Sequence, residues 1–129
     1  MPTIPDSHLD LLERPLFGHF ATLGRSGEPN VNPIWFRWDG EYCWFTTSTR
    51  RRKHSNVRRD SRAALAVHDP ESPYRYLELR GRVERVEPDP GVELFLALAA
   101  RYGIPDAGIP DDAADRVRLG LKPTHITFQ

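Results

Sequence analysis

Asn30-Val31-Asn32-Pro33-Ile34-Trp35-Phe36-Arg37-Trp38-Asp39-Gly40-Glu41-Tyr42-Cys43-Trp44-Phe45-Thr46-Thr47 reads as a β-hairpin. Val31 to Trp38 forms one strand, Asp39-Gly40 is a strong turn signal, and Tyr42 to Thr47 returns antiparallel. A strand with one wet face should be apolar only on alternate residues. Here the first strand sets Asn30, Asn32, Ile34, Phe36 and Trp38 on one face, with Val31, Pro33 and Trp35 on the other. The second sets Cys43 and Phe45 on one face, with Tyr42 and Trp44 on the other. Both faces call for burial. A barrel interior can take one set, and the other needs a partner chain, a flat ligand or a covering helix.

The flanking sequence extends the β pattern. Phe17 to Leu23 and Ala63 to Val67 read as strands, and Arg25-Ser26-Gly27-Glu28 as a turn. Tyr74 to Val86 is long enough for a bent strand with a bulge or kink at Gly81. Val117, Leu119 and Leu121 alternate with Arg116, Arg118 and Gly120, giving a sixth strand that reaches Pro123. Three helices are expected. One is capped by Ser7 and runs to about Arg14, one spans Thr49 to Arg59, and one spans Gly91 to Tyr102. In the last, Phe95, Leu98, Ala99 and Tyr102 share a face. Met1 to Asp6 reads as a loose tail, and Asp69–Pro73 and Ile104–Ala114 as loops. The expected architecture is mainly β: a six-stranded antiparallel barrel with a few short helices, in a single domain covering residues 1–129.

Composition narrows the partners. The 129 residues suit one core, and the 39% hydrophobic and 28% charged content is that of a globular chain. Lys plus Arg (18) balances Asp plus Glu (18), whereas a nucleic-acid binder usually shows a stronger bias, so no nucleic acid is expected. Cys43 is the only cysteine, which rules out an internal disulfide and a cysteine zinc cage. The five histidines show no metal-ligand spacing, so no metal is expected. No apolar run approaches the ~20 residues of a membrane span and no secretion signal is evident, so a cytoplasmic protein is expected.

Thr46-Thr47-Ser48-Thr49-Arg50-Arg51-Arg52-Lys53-His54-Ser55-Asn56 carries the chemistry. Hydroxyls at a strand end lead into a helix N-terminus, where free amides and a positive dipole end favour anions. Arg51 and Lys53 add full charges suited to phosphate oxygens, and Asn56 follows Lys53 by one turn. This is a phosphate grip. The alternatives for such a basic run are a solvated helix face or a nucleic-acid patch.

Several segments together resemble the split-β-barrel flavoproteins related to pyridoxamine-phosphate oxidase, the FMN-binding split barrel, and in particular the actinobacterial branch that uses coenzyme F420. They are Phe20-Ala21-Thr22-Leu23, Gly27-Glu28-Pro29, Pro33-Ile34-Trp35-Phe36, Arg51 to Arg62 with its Arg-x-Lys-x-x-Asn core, Pro73-Tyr74-Arg75-Tyr76 and Arg80-Gly81. Ser61 departs from the family, standing where proline is common, and the chain stops close behind the last strand. The resemblance implies a homodimer with sites built across its interface. It implies that Arg51 and Lys53 contact the cofactor phosphate with Asn56 in support. Thr46 and Thr47 are implied near the ring or ribityl chain, and Asn30, Asn32 and Trp35 near the ring edge. Tyr74 and Tyr76 would approach from the second subunit.

No Gly-x-Ser-x-Gly elbow, reactive cysteine or paired carboxylate offers a catalytic side chain, so no catalytic residue is expected and the hard chemistry falls to a cofactor. The expected reaction is hydride transfer from reduced deazaflavin to a small, electron-poor acceptor. Coenzyme F420 is expected over the alternative, FMN, because Arg50, Arg52 and Arg75 exceed what one phosphate needs and could meet its oligoglutamate tail. A non-catalytic flavin- or F420-binding protein is the remaining alternative.

Overall fold

The computed structural model describes residues 2–129; Met1, part of the expected tail, lies outside them. Seven strands form one antiparallel sheet: β1 (Gly18–Leu23), β2 (Pro29–Ile34), β3 (Arg37–Trp38), β4 (Cys43–Ser48), β5 (Arg62–Asp69), β6 (Ser72–Pro88) and β7 (Arg116–Phe128). Three α-helices accompany them: α1 (Asp10–Glu13), α2 (Arg52–Arg59) and α3 (Glu93–Arg101). Neighbours in the sheet run β2-β1-β5-β6-β7-β4-β3.

The two edge strands, β2 and β3, are consecutive in the chain and separated only by Trp35 and Phe36. Three Cα steps span at most about 11 Å, so the sheet must roll until its edges nearly meet. That short link corrects the expected six strands to seven. The predicted strand Val31–Trp38 breaks after Ile34, and its halves pair with β1 and β4 respectively. Phe36 leaves the ladder because its amide donates to Tyr102 Oη (3.1 Å) and its carbonyl accepts from Arg101 Nε (3.1 Å). Arg101 also donates to the carbonyls of Leu12, Glu13 and Arg14, which closes the C-terminal end of α1.

The rolled sheet encloses the core. Phe20 and Phe45 meet inside it with ring centroids 4.3 Å apart, among fully buried Leu65, Leu79, Leu119 and Leu121. Burial of each such side chain stabilises the fold by about 1.5–3 kcal/mol. On the outer face, Trp44 of β4 and Tyr42 just before it are covered by Leu94 and Leu98 of α3. The second apolar face of this strand is therefore met by a helix of the same chain, not by a partner. Val31, on β2, remains 64% exposed.

The helices start later than the sequence suggests. Ser7 caps nothing: it lies within a 3-10 turn, Asp6–His8, and its hydroxyl bonds His8 Nδ1. Nor is the start of the chain loose throughout, since Ile4 packs against the core. Helix α3 is capped by Asp89, whose carboxylate accepts from the amides of Glu93 and Leu94, both at 3.1 Å. Such a cap contributes about 1 kcal/mol. Gly81 does sit at a register shift of β6, where an added Cβ would run into the Lys122 carbonyl. β7 continues past Pro123 to Phe128. Among the described residues, no helix is long and apolar enough to cross a membrane.

Candidate functional site

Thr49 lies in a turn ahead of the helix, where its amide donates to the Asp115 carbonyl (2.9 Å) and the Arg51 amide donates to the Ser48 carbonyl (3.1 Å). Helix α2 therefore begins at Arg52, with extended Arg51 at the N-cap position and no side chain capping it. The His54 amide donates to the Arg51 carbonyl (3.2 Å), which leaves the amides of Arg52 and Lys53 for an outside acceptor. Thr46 and Thr47 lie wholly within β4.

Beside this helix end lies a cleft of about 300 Å³. Its polar lining is Arg51, Lys53, Arg116, Thr46 and Thr47, with no carboxylate among the lining residues. Its apolar wall includes Phe17, Trp35 and Phe95. Trp35, on the link between β2 and β3, stacks on Tyr102 at 5.3 Å and 16°. Lys53 is half-buried, and burial together with the charges of Arg51 and Arg116 pushes its ammonium below the ordinary lysine range. An anion would reverse that penalty.

Lys53 also lines a second cleft, of about 630 Å³, with Asn30, Asn32, Arg52 and Asn56. The predicted site residues thus divide into two groups that share Lys53. Asn56 is buried, and its side chain is fully engaged. Nδ2 donates to Thr22 Oγ1 (3.0 Å) and Asn30 Oδ1 (2.9 Å), while Oδ1 accepts from Arg59 Nη2 (3.0 Å). Tyr74 and Tyr76 line neither cleft; Tyr74 is 85% exposed at the start of β6.

Arg116 is the residue that the sequence reading passed over as an outward-facing strand cation. Its side chain is only 10% exposed. Nη2 donates to Thr46 Oγ1 (2.8 Å), Nη1 approaches Asp112 Oδ2 (3.4 Å), and the guanidinium lies 5.0 Å from the Phe95 ring centroid. Its Nε is the buried side-chain polar atom left without a partner among the described residues, a condition that costs about 1–3 kcal/mol. Because the guanidinium can only donate, Thr46 Oγ1 is the acceptor and keeps its own proton to donate elsewhere.

Two of the cations expected to be spare are paired. Arg50 Nε bonds Asp115 (2.8 Å), and Arg75 is held by Asp10, Asp69 and the Ser7 carbonyl. This corrects the charge count: of the three, Arg52 alone makes no ion pair among the described residues.

A rolled antiparallel sheet with a cationic cleft at the end of β4 defines a split-barrel protein. The family profile described as pyridoxamine 5'-phosphate oxidase matches residues 4–129, and the chain belongs to that family. A solved structure named F420 Reductase shares 46% identity over 98% of this chain and 100% of its own, with a TM-score of 0.93. A conserved protein from Mycobacterium tuberculosis, at 21% identity, covers 96% of this chain and 83% of its own with a TM-score of 0.75. A Listeria innocua protein named for pyridoxamine 5'-phosphate oxidase, at 19%, covers 95% of each with a TM-score of 0.73. The latter two show the likeness of fold. No protein in the curated set matches the sequence significantly.

Proposed function

We propose that this chain is an oxidoreductase that binds coenzyme F420, with the cofactor phosphate at Arg51, Lys53 and the first turn of α2. The observation that carries the reading is a cleft with three cations, two threonine hydroxyls and an aromatic wall, and no lining carboxylate. Those residues fit a planar group that carries a phosphate: the amides and cations suit its anion, and Trp35 and Phe95 suit its ring. The choice of F420 over FMN is supported by the 46%-identical F420 Reductase, and of the three cations counted for the tail Arg52 alone is left to favour it.

Bound in reduced form, the deazaflavin supplies a hydride for a small, electron-poor acceptor. The chain's own part is to neutralise the phosphate, orient the ring and exclude water from its inner face. Lys53 and Arg51 do the first, Thr46 and Thr47 donate along the cleft, and Trp35 limits the ring's tilt. Asn30 and Asn32 border the outer cleft beside Lys53, and Asn56 acts through Asn30 by fixing its amide.

The working form is a homodimer in this reading. Val31 and Pro33 lie exposed on β2, and their partners on β1, Ala21 and His19, continue that face with one small side chain and one imidazole. Tyr74 and Tyr76 would close the partner's site. Equilibrium sedimentation should give twice the 14.8 kDa chain mass, and reduced F420 should be oxidised when an electron-poor acceptor is added. A monomer that still turns over would remove the shared site, and F420 binding without turnover of any acceptor would make the chain a carrier.

A further inference from the structure

We infer that Arg116 recognises the ring of the bound cofactor rather than its phosphate, an inference that rests on the cofactor reading above. Arg116 and the phosphate grip differ in setting. Arg51 is exposed at the mouth of α2, where free amides and water help to hold a multiply charged group. Arg116 is nine-tenths buried, lies against the Phe95 ring and shares the cleft with Trp35. A single polarised oxygen at the edge of a planar ring suits that place: it needs one or two donors and brings little hydration to strip away.

The guanidinium is prepared for such an oxygen. Thr46 fixes Nη2, Phe95 fixes the plane, and Nε has no acceptor within the chain. Among the described residues Asp112 is the one acidic group paired with Arg116, and its 3.4 Å contact is the longer of the guanidinium's two side-chain hydrogen bonds. The carboxylate therefore competes with the ring oxygen for the same cation. Arg116 draws the ring in, and Asp112 weakens its hold.

The two kinds of recognition separate when the phosphate is removed. Coenzyme F420 and its phosphate-free deazaflavin–ribityl fragment are titrated into the apo protein. Arg116→Gln should weaken both by a similar factor of about ten, and Asp112→Asn should tighten both by several-fold. Lys53→Ala should weaken F420 alone. If Arg116→Gln weakens F420 but leaves the fragment unchanged, Arg116 is a phosphate ligand and the inference is overturned. Should Arg116→Gln fail to fold, Asp112→Asn decides, and unchanged affinity for the fragment overturns the inference. If Lys53→Ala leaves F420 binding intact while Arg116→Gln weakens the fragment, the phosphate grip fails and the ring assignment stands.

Discussion

Asn56 Nδ2 donates to Asn30 Oδ1 over 2.9 Å, tying helix α2 to strand β2 along the wall of the outer cleft. The same amide also holds Thr22 in β1. Asn56→Ala would leave Thr22 and Asn30 facing an empty, mostly buried space at a cost of about 2 kcal/mol. Thermal unfolding of the apo protein should fall by several degrees. An unchanged melting temperature would mean that this contact does not anchor the helix.

Lys53→Ala should have the opposite profile. It removes a half-buried charge that sits beside Arg51 and Arg116, so apo stability should hold or rise slightly. Each charge-assisted contact to phosphate is worth roughly 1.5–3 kcal/mol, so cofactor binding should weaken about ten- to a hundred-fold. Arg51→Ala should behave similarly. Calorimetry on the apo and loaded protein reads both effects.

The lowered pKa of Lys53 gives a pH test. Burial, then Arg51 and Arg116, depress it in the folded chain, which therefore binds fewer protons there than the unfolded chain does. Its contribution to stability is present in full above the unfolded value and is lost as pH falls through the folded value. Parent minus Lys53→Met stability should therefore rise with pH across that alkaline window. F420 affinity should fall across the same window, because the neutral amine no longer attracts phosphate. Parallel trends in the two quantities would contradict the assignment.

Arg75 and Arg52 separate fold from tail recognition. Arg75→Glu sets like charges against Asp10 and Asp69, so it should lower thermal stability and leave the preference for F420 over FMN unchanged. Arg52→Glu should reduce that preference by up to about 1 kcal/mol at low salt, the scale of an exposed ion pair. Titration of both cofactors into each variant checks the pair.

The sequence made the strands legible where alternation and turns are strong, as at Asp39-Gly40 and Gly81. Alternation reports which face a residue occupies but not which strand it bonds to. Ile34 and Phe36 are both buried as expected, yet the handover from β1 to β4 between them left no mark in the pattern. Thr49 reads as the start of a helix, yet the distant carbonyl of Asp115 takes its amide and it stays in a turn outside α2. Arg51 and Lys53 were found because they stand together in the chain. Arg116 was missed because it reaches the same cleft from a strand 63 residues beyond Lys53, where alternating arginines read as a wet face. The pairing of Arg75 with Asp10 was hidden for the same reason.

The most direct test is calorimetric titration of coenzyme F420 and FMN into apo parent protein and Lys53→Ala at low and high ionic strength. One F420 per chain is expected, bound more tightly than FMN by the parent, with an advantage that shrinks as salt rises and an affinity that falls at least tenfold in Lys53→Ala. Tighter FMN binding at both ionic strengths, or F420 binding indifferent to Lys53, would contradict it.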